Sequence, residues 1–451
     1  MFRFNRFSRA RWLRSAAIAG GLLLVALLVP FLVPLRSYLP ELSELASQKI
    51  GQPVTIGDMR LQILPTPRLA LYGVKVGKAA PLQIDKLRVV PELLSLFGEH
   101  RAIRLIRADG VRMREATLGM LDKLLKSKQP KGGAAPVRIE GIELRDVAFE
   151  HHAMKVPQFD LWVNLSESYA PVSATFRTVD RALEARLVTD ELGRTRVTLD
   201  ARKWKLPFPA MPLMFDSLRA TGTLQRSRLE LQQIAGYLYG GTLAGSMRLD
   251  WHRNWHLGGK ADIAGVDLLP LLKDLRKPAK LSGRLDARVV FSSNARTAGL
   301  LGNALVLDAP AEVKGGAWHG VDLARAAAQP LGKPSDGGAT PFEELRCDVA
   351  LRGKTIRLEQ ICARSPTLVA GGRAEVAADQ ALSGRLDVSV AKTGGIVGVP
   401  LALGGTVSEP SVGLTRGAAI GAVLGTLVLP FVGTTIGATA GAKLDAGSGC
   451  K

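Results

Sequence analysis

The chain is 451 residues long, 47% hydrophobic and 22% charged, which allows several domains or one extended architecture and excludes a disordered chain. Long uncharged runs lie only near the two ends, which excludes a polytopic transporter, and three cysteines (Cys347, Cys362, Cys450) cannot build a disulfide framework. Sixty Lys and Arg against 40 Asp and Glu give a net charge of +20, suited to nucleic acid or to an anionic membrane surface, while 48 Gly beside 5% aromatics suits many short strands with tight turns.

Residues 1–14 form a basic segment with Arg3, Arg6, Arg9, Arg11 and Arg14 and no acid. The uncharged run 15–35 that follows, Ser15 to Leu35, is long enough to cross a hydrocarbon core of about 30 Å. It is longer than the apolar region of a signal peptide and no Ala-x-Ala site follows, so a retained transmembrane anchor is predicted. The excess of arginine before it places the N-terminus in the cytoplasm and the rest of the chain across the membrane, which removes nucleic acid as a partner.

Pro40 to Ile50 carries Leu42, Leu45, Ala46 and Ile50 at helical spacing, with Gly51 as the stop. From Val54 the period becomes two, as in Val54, Ile56; Leu69, Leu71; Val137, Ile139; and Phe159, Leu161, Val163, Leu165. Gly57, Gly73 and Gly141 interrupt the alternation where bulges or bends are expected. Short helices are predicted at Glu92–Phe97, Thr117–Lys126, Asp267–Arg276 and Asp322–Ala328. KSKQPKGGAAP, residues 126–136, has a linker's composition and separates an N-terminal β region, 36–125, from a larger one, 137–415. Openings such as Gly222-Thr223-Leu224, Gly283-Arg284-Leu285 and Gly384-Arg385-Leu386 recur without a fixed period, which reads as successive hairpins of one extended sheet. The fold class is therefore mainly β with a few short helices after one N-terminal transmembrane helix.

Several stretches, in this order, resemble the AsmA family: the arginine-flanked span, IGQPVTIGDMRLQILPTPRLALYGVKVG from Ile50, IDKLRVVPELLSLFGEHRAIRLIRADGVRMR from Ile84, IAGYLYGGTLAGSMRLD from Ile234, GVDLLPLLKDL with LSGRLDARV from Gly265, the stretch from Thr340 to Val376, and PLALGGTVSEPSVGLT from Pro400. The resemblance implies an inner-membrane anchor, a periplasmic body built as an elongated sheet folded lengthwise into an apolar groove, and movement of phospholipid between inner and outer membranes. Phospholipids and the inner membrane are then the expected partners, with the outer membrane or an envelope protein at the far end. A scaffold or assembly factor for outer-membrane proteins is the alternative.

No P-loop, H-E-x-x-H, G-x-S-x-G or C-x-x-C occurs, so no enzyme, cofactor or metal is expected. His252 and His256 have the spacing of a helical metal pair but lie in a strand-turn-strand pattern, and Lys126, Lys128 and Lys131 read as a solvated linker. Alternation nominates Leu161, Val163, Leu386 and Val388 as groove-lining residues, although the same alternation also describes a filled core. Cys347 and Cys362 flank a hairpin whose apolar face tolerates two registers: one pairs the cysteines, and a two-residue slip sets Cys347 opposite Gln360. In an oxidising periplasm they form a disulfide or remain two small buried strand residues. In the apolar tail, 416–451, Gly417, Gly421, Gly425 and Gly433, Gly437, Gly441 make small-residue stripes on either side of Pro430, suited to a membrane-dipping helical hairpin or to a soluble Gly-rich cap.

Overall fold

The computed structural model describes residues 35–62, 66–78, 82–92, 102–114, 137–150, 156–207, 211–328, 337–390 and 398–415, together with Ser95, Thr117, Gly417 and Cys450. The expected anchor (apart from Leu35), the 126–136 linker, the Thr117–Lys126 helix beyond Thr117, most of Glu92–Phe97 and the tail stripes beyond Gly417 lie outside these residues. Among the described residues no helix is long and apolar enough to cross a membrane. The chain divides into two compact units, Met1–Gly193 and Arg194–Lys451.

In the first unit, helix α1 (Leu39–Ile50) begins with Pro40 in its first turn and ends at Gly51, whose left-handed backbone lets its N–H donate to the Ser47 carbonyl. Leu39, Leu42, Ala46 and Ile50 pack on Val54, Met59, Leu71, Val74 and Val76. Leu45, expected on that face, is instead 49% exposed, because the packed face steps through Leu39, Leu42, Ala46 and Ile50 and leaves Leu45 about 60° beyond its edge at about 100° per residue. The strands are β1 (Val54–Thr55), β2 (Asp58–Gln62), β3 (Arg68–Val76), β4 (Leu82–Pro91), β5 (Ala102–Arg114), β6 (Arg138–Ile139), β7 (Gly141–Glu150), β8 (Phe159–Leu165), β9 (Pro171–Thr178) and β10 (Leu183–Thr189). β1 and β2 both pair with β3, as one strand broken at Gly57, whose N–H donates to the Tyr72 carbonyl beside the left-handed Gly73. The predicted break is therefore a bend shared by two facing glycines.

β3, β4 and β5 continue antiparallel, and β7 then joins β5 in parallel, before β8, β9 and β10 resume the meander. A parallel neighbour requires a crossover, and residues 115–136 make it. The compact units part at Gly193.

Among the described residues the second unit is an antiparallel meander of thirteen strands: β11 (Thr195–Lys205), β12 (Met214–Gln225), β13 (Arg228–Leu238), β14 (Gly241–Asp250), β15 (Trp255–Asp267), β16 (Arg284–Ala295), β17 (Val306–His319), β18 (Ala339–Arg352), β19 (Thr355–Ser365), β20 (Leu368–Val376), β21 (Leu382–Val390), β22 (Val399–Gly405) and β23 (Pro410–Leu414). Two helices interrupt it where the sequence places them. α2 (Leu268–Asp274) is capped by Asp267, whose carboxylate accepts from the Leu269 N–H, and α3 (Leu323–Ala328) by Asp322, which accepts from the Arg325 N–H.

Both helices cover the apolar face near one row of strand ends. Leu268 packs with Val313 and Phe342, while Leu323, Ala326 and Ala327 close over Leu368, Ala370, Leu386, Val388, Leu401 and Val412. Each fully buried aliphatic side chain there contributes about 1.5–3 kcal/mol. The Thr340 hydroxyl fixes α3 in place, donating to the Val321 carbonyl and accepting from the Leu323 N–H.

Candidate functional site

Because side chains alternate across a strand, the register of the second unit decides which residues share a face. Leu224, Leu229, Leu249 and Leu257 stand opposite one another on β12, β13, β14 and β15. A second row runs Val197, Gly222, Leu231, Met247, Gly259, Phe291, Leu307, Leu351, Ile356, Val376 and Leu382. Neither row contains a charge. Gly259 serves a packing need, since a methyl group there would meet the Phe291 ring at 2.6 Å. Most of these side chains, among them Leu224, Leu229, Met247, Leu249, Leu257, Phe291, Leu307, Leu351 and Ile356, are only half-buried. At the row of strand ends away from α2 and α3, the apolar face therefore has no element of the described chain closing it fully.

The opposite face is polar and self-satisfied. Cross-strand partners Asp200 and Arg219, Arg228 and Asp250, Glu230 and Arg248, Asp262 and Arg288, Glu312 and Arg346, and Arg357 and Glu375 form ion pairs at 2.6–3.3 Å. Exposed pairs of this kind contribute little stability each, but they leave the face no use for acyl chains. A groove of about 1060 Å³ on this face is lined by Asp286, Arg288, Glu312, Arg346, Asp348 and Cys362 among others, a charged lining unlike the apolar rows behind it.

The first unit repeats the arrangement. Met59, Leu71, Leu87, Ala108, Leu144, Leu161, Phe176 and Ala185 form one row, and Leu69, Val89, Ile106, Ile142, Val163, Ala174 and Leu187 the next. Leu161 and Val163 thus lie within continuous apolar rows, and both are half-buried. On the other face Glu143, 4% exposed, accepts from Arg107 and Arg145 at 2.6 Å and from the Trp162 indole at 3.0 Å. Burial pushes the Glu143 carboxyl up, but the bonds from Arg145, Arg107 and Trp162 outweigh it and hold the group below its ordinary value.

The other nominated residues fall elsewhere. Leu386 and Val388, at 3% and 0% exposure, are core side chains under α3 and not part of the half-buried rows. Alternation could not separate the two environments, because α3 enters from another part of the chain. Cys347 and Cys362 are not bonded to each other: Cys362 is bonded to Cys450 with Cα atoms 5.2 Å apart, and Cys347 is free. The hairpin tip takes the slipped register, Leu351 opposite Ile356, and a bulge at Gln360 then sets Cys362 opposite Arg346. Cys347 consequently faces the apolar side beside Ala311, and Cys362 the polar side beside Gly371. Cys450 sits against Gly371, where a Cβ would lie 2.5 Å from the Cys450 nitrogen. His252 lies in the β14–β15 turn and His256 on β15 opposite Asp250, so the helical geometry of a metal pair does not arise. The half-buried rows of the second unit were legible only as alternation in stretches such as Leu229, Leu231 and Met247, Leu249.

The model of the AsmA family matches residues 209–358, the stretch from the start of β12 into β19, which carries most of the half-buried rows. No curated protein and no solved structure matches the chain.

Proposed function

We propose that the chain is a non-enzymatic envelope protein that binds phospholipid acyl chains on its apolar sheet faces and conducts them between inner and outer membranes, in support of outer-membrane biogenesis. The observation that carries this reading is the continuity of half-buried apolar side chains from strand to strand, within the segment that matches the AsmA family. Each methylene brought out of water contributes about 0.8 kcal/mol, so an acyl chain laid across the rows is held firmly. Successive rows are chemically alike, so it can also slide. Anchorage in the inner membrane through residues 15–35, with the body in the periplasm, follows from the charge pattern and from the family resemblance. The partners are phospholipids and the inner membrane, not nucleic acid.

Native mass spectrometry of the full chain, extracted in mild detergent, tests this. Co-purified phospholipid in stoichiometric amount is expected. A chain that carries none would instead be the scaffold or assembly factor.

A further inference from the structure

Four hairpin tips of the second unit gather at the strand ends where the apolar face is least covered: residues 225–228, 250–256, 294–305 and 352–355. They hold six Lys or Arg against one acid, Asp250, which is already paired with Arg228. Arg226, Arg253, Arg296 and Lys354 are exposed and make no ion pair among the described residues, unlike the cations in the cross-strand ladder. Between them Trp251 and Trp255 stack with ring centroids 5.9 Å apart, and Leu300 is 48% exposed in the next loop. Immediately behind the indoles lie Leu249 and Leu257, directly opposite each other on the apolar face.

Unpaired cations, an indole pair and an exposed aliphatic side chain together have the chemistry of the bilayer interface, where indoles sit at headgroup level and Lys or Arg meets phosphate. The opposite strand ends are also basic, at Lys273 and Lys277, but there α2 and α3 wall off the apolar face. We propose that the tips bearing Arg226, Trp251, Arg253, Trp255, Arg296 and Lys354 dock edge-on to an anionic phospholipid surface, which brings the least covered apolar rows to the headgroups. This goes beyond lipid binding by the sheet itself, since the tips would hold an anionic bilayer whether or not the rows carry lipid.

The test uses the full chain held in phosphatidylcholine nanodiscs and offered to vesicles of phosphatidylcholine, with or without about one part in three of phosphatidylglycerol. Flotation is expected to recover the chain with the anionic vesicles only, and less of it as salt rises. At about 1 kcal/mol per cation near an anionic surface, R226A with R253A should weaken capture tenfold or more, and W251A with W255A should weaken it as well. K273A with K277A, at the other rim, should leave capture unchanged. Capture that is equal on neutral vesicles, that survives the tip substitutions, or that falls as far with the K273A and K277A pair overturns the proposal. Native mass spectrometry of the full chain extracted in mild detergent, before it enters nanodiscs, keeps the two readings apart: tip-dependent capture by a chain that co-purifies with no phospholipid would sink lipid conduction and leave this docking edge standing.

Discussion

Cys362 stands opposite Arg346, one residue short of Cys347, so the two cysteines project from opposite faces of the β18–β19 hairpin. No side-chain rotation brings them together, and Cys362 bonds Cys450 on the polar face instead. Peptide mapping of the non-reduced chain should recover a Cys362–Cys450 cross-link and a free Cys347. Burial, with Asp348 adding to it, pushes the Cys347 thiol up to about 11, so alkylation at pH 8 should be slow until the chain unfolds. Closing so long a loop is worth about 2–4 kcal/mol, and C362S should cost that much where C347S costs little. Gly371→Val, which fills the seat of Cys450, should lower the cross-linked fraction. A Cys347–Cys362 cross-link would refute this register.

Leu386 and Leu257 look alike in sequence, yet one lies under α3 and the other is half-buried on the apolar face. Leu386→Ala should lower the stability of the second unit by about 2–5 kcal/mol, and Leu386→Arg should prevent its folding, because the charge has no route to water. Leu257→Arg can extend its stem along the face and reach solvent, so it should cost about 1 kcal/mol and reduce phospholipid occupancy. Thermal unfolding and lipid quantification on the same samples distinguish the two outcomes. Equal destabilisation by both arginines would mean that the apolar face is a sealed core.

Glu143 supplies a pH dependence. Its carboxyl is held below its ordinary value in the folded chain, so its contribution is complete above the unfolded value of about 4.5 and is lost as pH falls through the folded one. E143Q removes the charge and leaves a single neutral acceptor oxygen where two carboxylate oxygens accept from Arg107, Arg145 and Trp162, which should cost about 1.5–3 kcal/mol at pH 7. The difference from wild type should shrink as pH falls below the unfolded value of about 4.5. A difference that stays constant from pH 7 to pH 3, read from denaturant midpoints, would show that the ionised carboxylate is not what matters.

Local patterns in the sequence were a good guide to elements. Phe159, Leu161, Val163 and Leu165 delimit β8, and Asp267 and Asp322 mark the helix starts they cap. These features depend on neighbours within a few residues. What could not be read depends on distant chain. Leu386 and Leu161 alternate in the same way, and only the arrival of α3 makes the first a core residue. The cysteine register likewise turned on a bulge at Gln360, a residue whose left-handed backbone has no signature in its side chain. The parallel pairing of β5 with β7 also brings together strands that no local pattern relates.

If acyl chains lie on one face of the sheet and not on the other, photocrosslinking along β14 will separate the two faces. Met247 and Leu249 lie on the apolar face, Ser246 and Arg248 on the polar one. With a photoreactive side chain placed at each of the four positions in turn in the full chain in cells, phospholipid adducts should appear at Met247 and Leu249 and be absent at Ser246 and Arg248. Adducts at all four positions alike, or at none, would mean that the apolar face does not carry the acyl chains.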